Sequence, residues 1–486
     1  MNNKDIDKYD MEADVVVVGY GASGASAAIT AHDNGASVIM LEKMSQGGGN
    51  GRMTGGGLLT PTSMEAVRHI EALCFGRTEK EIIHTFIAEA LKNEEWFSEL
   101  GGKTEPLVQL GEVLFPFPYH PCWPNLPGVE FVQIRHIVPE NDDETPGFAV
   151  WKLISTNVER REINVLTNTP AKELITDDSG EITGVIADMQ GKEISIKAKR
   201  AVILTCGGFE YNEPMKEAYL PLMPTYPAGN MGNTGDGIIM AQKVGAQLHH
   251  MYNFEGYLCF KIPEYEAGFA IKIYGPKFIY IDKDGRRFTN ETGWEAHEVW
   301  KAYMVFRPDR LCYPHLPAYA IFDDVTRRRG PLSFGIGVNL DKYQWSRDNS
   351  KEIAKGWIKQ GKTIRELARQ ISVDESTLEE TLTKYNEYCK AGKDADFDRS
   401  KENLDPIETA PYYAIELWPG LINTQGGPRR DRNARILNTE GKPIPRLYSA
   451  GELGSLWGFL YAAGNLTEAL VFGRIAGRNA AAERPW

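Results

Sequence analysis

The stretch ADVVVVGYGASGASAAITAHDNGASVIMLEK, Ala13–Lys43, carries the reading of the fold. Asp14–Val18 is a β-branched run without alternation, the pattern of a strand buried on both faces of a parallel sheet. Gly19, Gly21 and Gly24 follow as GxGxxG. A helix of small residues comes next, with Gly35 as its C-cap, and then a second strand, SVIMLEK, that ends at Glu42. The first glycine permits a tight turn, the second lets the backbone approach a pyrophosphate, and the third lets helix pack on strand. The helix N-terminus then faces the phosphates. Glu42 lies 23 residues beyond Gly19, where a carboxylate accepts hydrogen bonds from ribose hydroxyls. A glycine fingerprint in this strand–turn–helix–strand setting predicts a bound dinucleotide.

The following segment, QGGGNGRMTGGGLLTP (46–61), has too many glycines to pack as core and fits a loop lying against a flat, extended ligand. Three more segments read as strand or helix meeting a glycine turn. They are AVILTCGGFEYN (201–212), NTGDGIIMAQKVGA (233–246) and RLYSAGELGSLWGFLYAAGNLTEALVFGRIAG (446–477).

At these residues the chain resembles, over nearly its whole length, the flavoprotein family of fumarate reductases and 3-ketosteroid dehydrogenases. The resemblance implies an α/β protein with FAD as cofactor. Its Rossmann-like FAD-binding domain would be built from residues 10–240 and 405–486, with an inserted α+β capping domain at 241–404. Carried over, Gly19, Gly21, Gly24 and Glu42 would hold the ADP half, with Ala22, Ser23 and Lys43 beside them. Gly48, Gly49, Asn50, Thr54, Gly55 and Gly56 would line the FAD towards its flavin end. Ala171, Cys206, Gly207, Gly208, Asn233 and Asp236 are further expected neighbours. Gly451 and Glu452 would lie at the ribityl chain, Asn465 and Leu466 at the isoalloxazine edge. The family's succinate dehydrogenases attach flavin covalently through a histidine in the first glycine-rich loop. This loop has none, so FAD is expected to be non-covalent.

In the inserted segment, KFIYIDKDGRRFTNE (277–291) reads as a hairpin around Asp284-Gly285. Residues 363–392 read as two amphipathic helices with a turn near Ser372 and a cap at Asp374–Ser376. PFPYHPCWPNLPG (116–128) cannot be helical and is either a pinned loop or a wall of the substrate pocket.

The family's dicarboxylate enzymes set histidines and arginines around their substrate, because two carboxylates in a closed site demand paired cations. The corresponding places here fall at Tyr257, near Glu295, at Asn423 and at Tyr461, all neutral or acidic. What remains is tyrosine, whose hydroxyl can hydrogen-bond a ketone oxygen or exchange a proton with the adjacent carbon. Tyr461 is the first candidate and Tyr257 the second, with Tyr119 and Tyr274 behind them. The expectation is therefore an oxidoreductase interconverting C=C and C–C bonds next to a ketone in a steroid-like or other neutral enone. One alternative is a fumarate- or urocanate-type reductase, with Arg286, Arg287, Arg429 and Arg430 as possible sources of the missing cations. The other is a flavin-binding electron carrier, which an inserted cap argues against.

Charge and composition narrow the partners. The chain has 486 residues and a formal net charge of -12, which disfavours nucleic acid. The six cysteines are scattered without a CxxC pair, so neither a zinc nor an iron–sulfur site is expected, and a reducing, cytoplasmic setting fits. His249 and His250 are adjacent and make a poor chelating pair, on the expectation that strand neighbours face opposite ways. The N-terminus lacks an apolar signal region and no run is long enough to span a membrane. No haem-attachment or covalent FMN motif is visible, so electrons are expected to pass to or from a separate partner.

Overall fold

The computed structural model describes residues 8–107, 123–141, 144–262, 264–333 and 343–486. Tyr119 and most of the proline-rich stretch at 116–128 lie outside them.

The expected opening unit forms as read. Met11–Val18 is a strand, Ala22–Asp33 a helix and Val38–Leu41 a parallel strand in register with the first, Val16 opposite Ile39. On its other flank Met11–Val18 pairs in parallel with Lys192–Leu204, Val16 opposite Val202. The sheet continues through Pro443–Ser449 to Arg435–Leu437 on that side and to Asn164–Leu166 on the other. Ala171–Thr176 and Ile182–Met189 join as an antiparallel extension, making eight strands. Val15, Val16 and Val17 have no exposed surface, as strands covered on both faces require. The long C-terminal helix Asn465–Ala482 crosses Ala22–Asp33 closely. A side chain at Gly473 would sit 2.6 Å from the Ser23 carbonyl oxygen, so only glycine allows that approach.

A second, seven-stranded sheet is built around Tyr412–Leu421, which pairs with Leu258–Phe260, Ala318–Asp323, Ile358–Gly361 and Tyr226–Pro227. Phe278–Ile281 lines the far side of Ala318–Asp323. The turn after it closes at Asp282–Arg286 as read, but its return strand is only the bridge between Ile281 and Arg287. The strand's full partner lies about forty residues on, at Ala318–Asp323. The two expected helices are Ile364–Gln370 and Glu375–Ala391, with Ser372 left-handed between them. Asp374 caps the second, accepting from the Thr377 N–H at 2.8 Å.

The architecture is therefore mixed α/β, a nucleotide-type parallel sheet joined to a second β-rich body. Among the described residues no helix is long and apolar enough to cross a membrane.

Candidate active site

In an open α/β sheet a ligand site forms outside the carboxyl ends of the strands, where the strand order reverses. Met11–Val18 is that point here, because its two neighbours lead away in opposite directions. The ends of three parallel strands, at Gly19, Glu42 and Thr205, open into a cleft with about 950 Å³ of empty space.

The cleft lining brings together most of the residues expected to hold a cofactor: Gly19, Gly21, Ala22, Ser23, Glu42, Lys43, Gly49, Asn50, Thr54, Ala171, Cys206, Gly207, Asn233, Asp236, Gly451, Glu452, Asn465 and Leu466. Gly24, Gly48, Gly55, Gly56 and Gly208 are not part of that lining. Gly24 stands behind it, where a Cβ would come 2.0 Å from the Gly19 carbonyl oxygen. Gly48 holds the loop, its N–H donating to the Tyr20 carbonyl at 2.6 Å. Gly56 packs on Pro146 and Gly147, and Gly208 lies under the Thr424 hydroxyl. The sequence reading missed Tyr20, Thr169, Thr205, Asn230 and Gly232, which also line the cleft. Asn230 and Gly232 stand just before the NTGDG segment, and extending that motif upstream would have found them.

The cleft fits an extended dinucleotide on its own geometry. Gly21 has extended backbone, φ -96° and ψ -167°, and a Cβ added there would meet nothing nearer than the Gly48 carbonyl oxygen at 3.7 Å. The space in front of it is therefore open to a ligand. Glu42 is held at its strand end by the N–H groups of Tyr20 (3.0 Å) and Met44 (2.7 Å). Burial pushes its carboxyl up, while those two N–H groups and the Lys43 charge pull it down. Lys43 is itself tied to Thr234 (2.6 Å) and Asp236 (2.7 Å). At the far end Asn50 bridges the walls, donating to Glu452 at 2.9 Å and accepting from the Asn230 N–H at 2.7 Å. Burial raises the Glu452 carboxyl to about 8, against the Asn50 hydrogen bond, and the Glu468 charge adds to the rise.

Beyond Asn465 the structure gathers a second group of side chains. Gln425 donates both to Asn465 Oδ1 (3.1 Å) and to Glu255 Oε1 (3.2 Å). Phe254–Glu255 pairs with Asn423–Thr424, which sets Asn423 opposite Glu255. Glu255 and Glu298 are fully buried near each other, and burial pushes both carboxyls up, Glu255 well above the usual range. Glu298 accepts from the Tyr461 N–H at 2.6 Å and forms an ion pair with Lys301. The His297 ring lies 4.3 Å from the Tyr257 ring and 4.8 Å from the Tyr461 ring, with Nδ1 2.7 Å from Glu295 Oε1. Tyr257, Glu295, Asn423 and Tyr461, picked out separately in the sequence, thus gather around His297, Glu298 and Glu255, which sequence reasoning passed over. The only local signal for His297 and Glu298 is the acidic run EAHE at 295–298, and Glu255 has none. Tyr274 lies elsewhere, with Lys272 4.6 Å from its ring and Gly330 against it.

The arginines considered as substrate cations have other partners. Arg287 is paired with Glu291 and Asp394, Arg429 with Glu79, and Arg430 with Glu468, while Arg286 is exposed. His249 and His250 do not point apart, contrary to the strand-based expectation. The strand stops at His249, His250 is left-handed with φ 51°, and the two rings stack at 4.1 Å.

A switch-point cleft with a glycine turn, a helix N-terminus and a terminal carboxylate defines a dinucleotide-binding α/β protein. Comparison with known proteins specifies it further. Residues 14–467 match the FAD binding domain family. The urocanate reductase of Eggerthella lenta is 30% identical over 499 residues, covering 97% of this chain and 75% of that protein. The 3-oxosteroid 1-dehydrogenase of Mycolicibacterium smegmatis is 28% identical over 572 residues, covering 97% of each. The 3-ketosteroid Δ1-dehydrogenase of Sterolibacterium denitrificans, solved with 1,4-androstadiene-3,17-dione, shares the fold with a TM-score of 0.85 at 24% identity, over 97% of this chain and 99% of that one. The chain belongs to the FAD binding domain family. It is an FAD-dependent oxidoreductase of the kind that acts on C=C and C–C bonds.

Proposed function

We propose that the protein interconverts C=C and C–C bonds next to a ketone in a flat, neutral substrate of steroid type. The observation that carries this reading is the charge of the second group. It holds two phenols, an imidazole and three carboxyl groups, Glu255, Glu295 and Glu298, and its ammonium, Lys301, is already paired. A dicarboxylate placed there would find Lys301, Arg287, Arg429 and Arg430 already paired and Arg286 exposed. A neutral ketone needs only hydrogen-bond donors, which phenols supply.

In this reading the residues lining the switch-point cleft hold FAD without a covalent link. Gly21 admits the pyrophosphate, Glu42 the ribose, and Asn465 and Leu466 border the flavin. Bound FAD supplies the exchange of a hydride at the carbon one bond beyond the ketone's neighbour. Tyr461 and Tyr257 hold the ketone oxygen as charge builds on it. Residues 241–404 form the capping unit, and Tyr412–Leu421 joins its sheet. Electrons reach or leave the protein through a separate partner.

Anaerobic titration of the flavin spectrum tests this. Saturated ketones should bleach oxidised flavin or enones should restore reduced flavin, while fumarate and urocanate do neither. The second reading, an acidic substrate, is favoured by the 30% identity to a urocanate reductase. Rapid reoxidation by urocanate or fumarate with no response to enones would establish it and reject the ketone.

A further inference from the structure

We propose that His297, oriented by Glu295, is the residue that exchanges the substrate proton, and that Tyr461 and Tyr257 serve as donors to the ketone oxygen. The inference rests on the ketone reading above and assigns the acid–base role within it to a residue other than a tyrosine.

Glu295 grips His297 twice. One carboxyl oxygen accepts from the His297 backbone N–H at 2.8 Å, and the other lies 2.7 Å from Nδ1. A carboxylate oxygen can only accept, so Nδ1 carries the proton and Nε2 is left as the exchanging nitrogen. The backbone is held as well, because the His297 carbonyl accepts from the Gly256 N–H at 3.1 Å, between Glu255 and Tyr257. The imidazole is thus fixed from two sides before any substrate arrives.

Its neighbours are the two candidate phenols. Ring centroids at 4.3 and 4.8 Å mean face and edge packing. A hydroxyl-to-nitrogen bond between a phenol and an imidazole, bent at the oxygen, would hold the ring centres farther apart, at roughly 5.5–6 Å for a normal hydrogen-bond length. The phenols therefore pack against the face and edge of the imidazole, and the three rings form one cluster. Tyr461 is tied in through its backbone N–H to Glu298, the next residue after His297. From Tyr461 the chain runs directly to Asn465, on the cleft lining. That cluster can supply hydroxyls for an oxygen and a nitrogen base for the carbon beside it, the division of labour that proton abstraction next to a carbonyl requires.

The proton step balances without any redox change. The C–H bond next to the ketone breaks, and its proton bonds to His297 Nε2. The electron pair stays on the substrate as an enolate whose oxygen the phenols hold. Reversal returns a proton to the same carbon, drawn from solvent once His297 has exchanged.

The test is hydrogen–deuterium exchange at the carbons beside the ketone of a saturated 3-ketosteroid. It is run in D₂O with the holoenzyme held fully reduced, so that no hydride can leave the substrate. Native protein should exchange them. His297→Gln should slow exchange by about 100-fold or more, the scale of a lost acid–base group, with flavin content and ketone affinity unchanged. Glu295→Leu should slow exchange by about 10-fold or more at unchanged affinity. It should also abolish the downfield imidazole N–H proton resonance that His297→Gln identifies. Should His297→Gln fail to retain flavin, Glu295→Leu decides alone. Native-rate exchange in either variant overturns the assignment to His297 but leaves the ketone reading standing. Absence of exchange in the native protein overturns both.

Discussion

Gly21 and Gly24 stand three residues apart in one fingerprint, yet the structure gives their alanine variants opposite consequences. A methyl at Gly21 meets only the Gly48 carbonyl oxygen, at 3.7 Å, and the backbone there is extended, a conformation open to any residue. Gly21→Ala should therefore leave the stability of the flavin-free protein within about 0.5 kcal/mol, or raise it slightly by restricting the unfolded chain. The methyl instead projects into the space assigned to the pyrophosphate. Disturbing one charge-assisted hydrogen bond costs about 1.5–3 kcal/mol, so FAD affinity should fall by roughly 10- to 150-fold. By linkage, the stabilisation that saturating FAD confers shrinks by the same free energy. A methyl at Gly24 would lie 2.0 Å from the Gly19 carbonyl oxygen and 2.8 Å from the Thr205 hydroxyl, so the helix must move off the strand. Overpacking of that kind costs about 1–3 kcal/mol, and Gly24→Ala should lose it with and without FAD. The assay is thermal unfolding of deflavinated and FAD-saturated protein, paired with a flavin-fluorescence titration. Native FAD affinity in Gly21→Ala would refute the placement of the pyrophosphate at that turn. A Gly24→Ala protein as stable as the native would refute the packing argument.

Tyr461→Phe removes one hydroxyl and should keep FAD and the fold while turnover of an enone or saturated ketone drops by about 100-fold; near-native turnover would reduce Tyr461 to a wall. Acid precipitation should leave the flavin in the supernatant, and flavin in the pellet would show a covalent link. In the flavin-free protein Glu452, raised to about 8 chiefly by burial, binds its proton more tightly folded than unfolded. Its contribution to stability is then full below the ordinary carboxylate range near 4.5 and is lost as pH rises through about 8. Glu452→Gln should accordingly unfold at a higher temperature than native at pH 9 but not at pH 4, and parallel pH profiles of the two proteins would contradict this.

The features legible in the sequence by itself are those whose physics is local. A β-branched run, a glycine turn, small helix residues and a terminal acid within Ala13–Lys43 suffice for the switch-point unit, because strand, turn and cap preferences act between residues a few positions apart. The same holds for the helices Ile364–Gln370 and Glu375–Ala391 and for the cap at Asp374. Tertiary structure alone decided which glycines of the 46–61 loop face the cleft, since Gly49 lines it while Gly56 packs on Pro146 and Gly147, and no sequence signal separates the two. It also decided that Arg430 is committed to Glu468 instead of being free for a substrate. His297 and Glu298 belong to a short acidic run with no periodicity to mark it, and they meet Tyr461 only because a contact 163 residues apart in sequence closes between them. Residues so far apart leave no trace on each other's local preferences, so their meeting is set by how the two sheets pack.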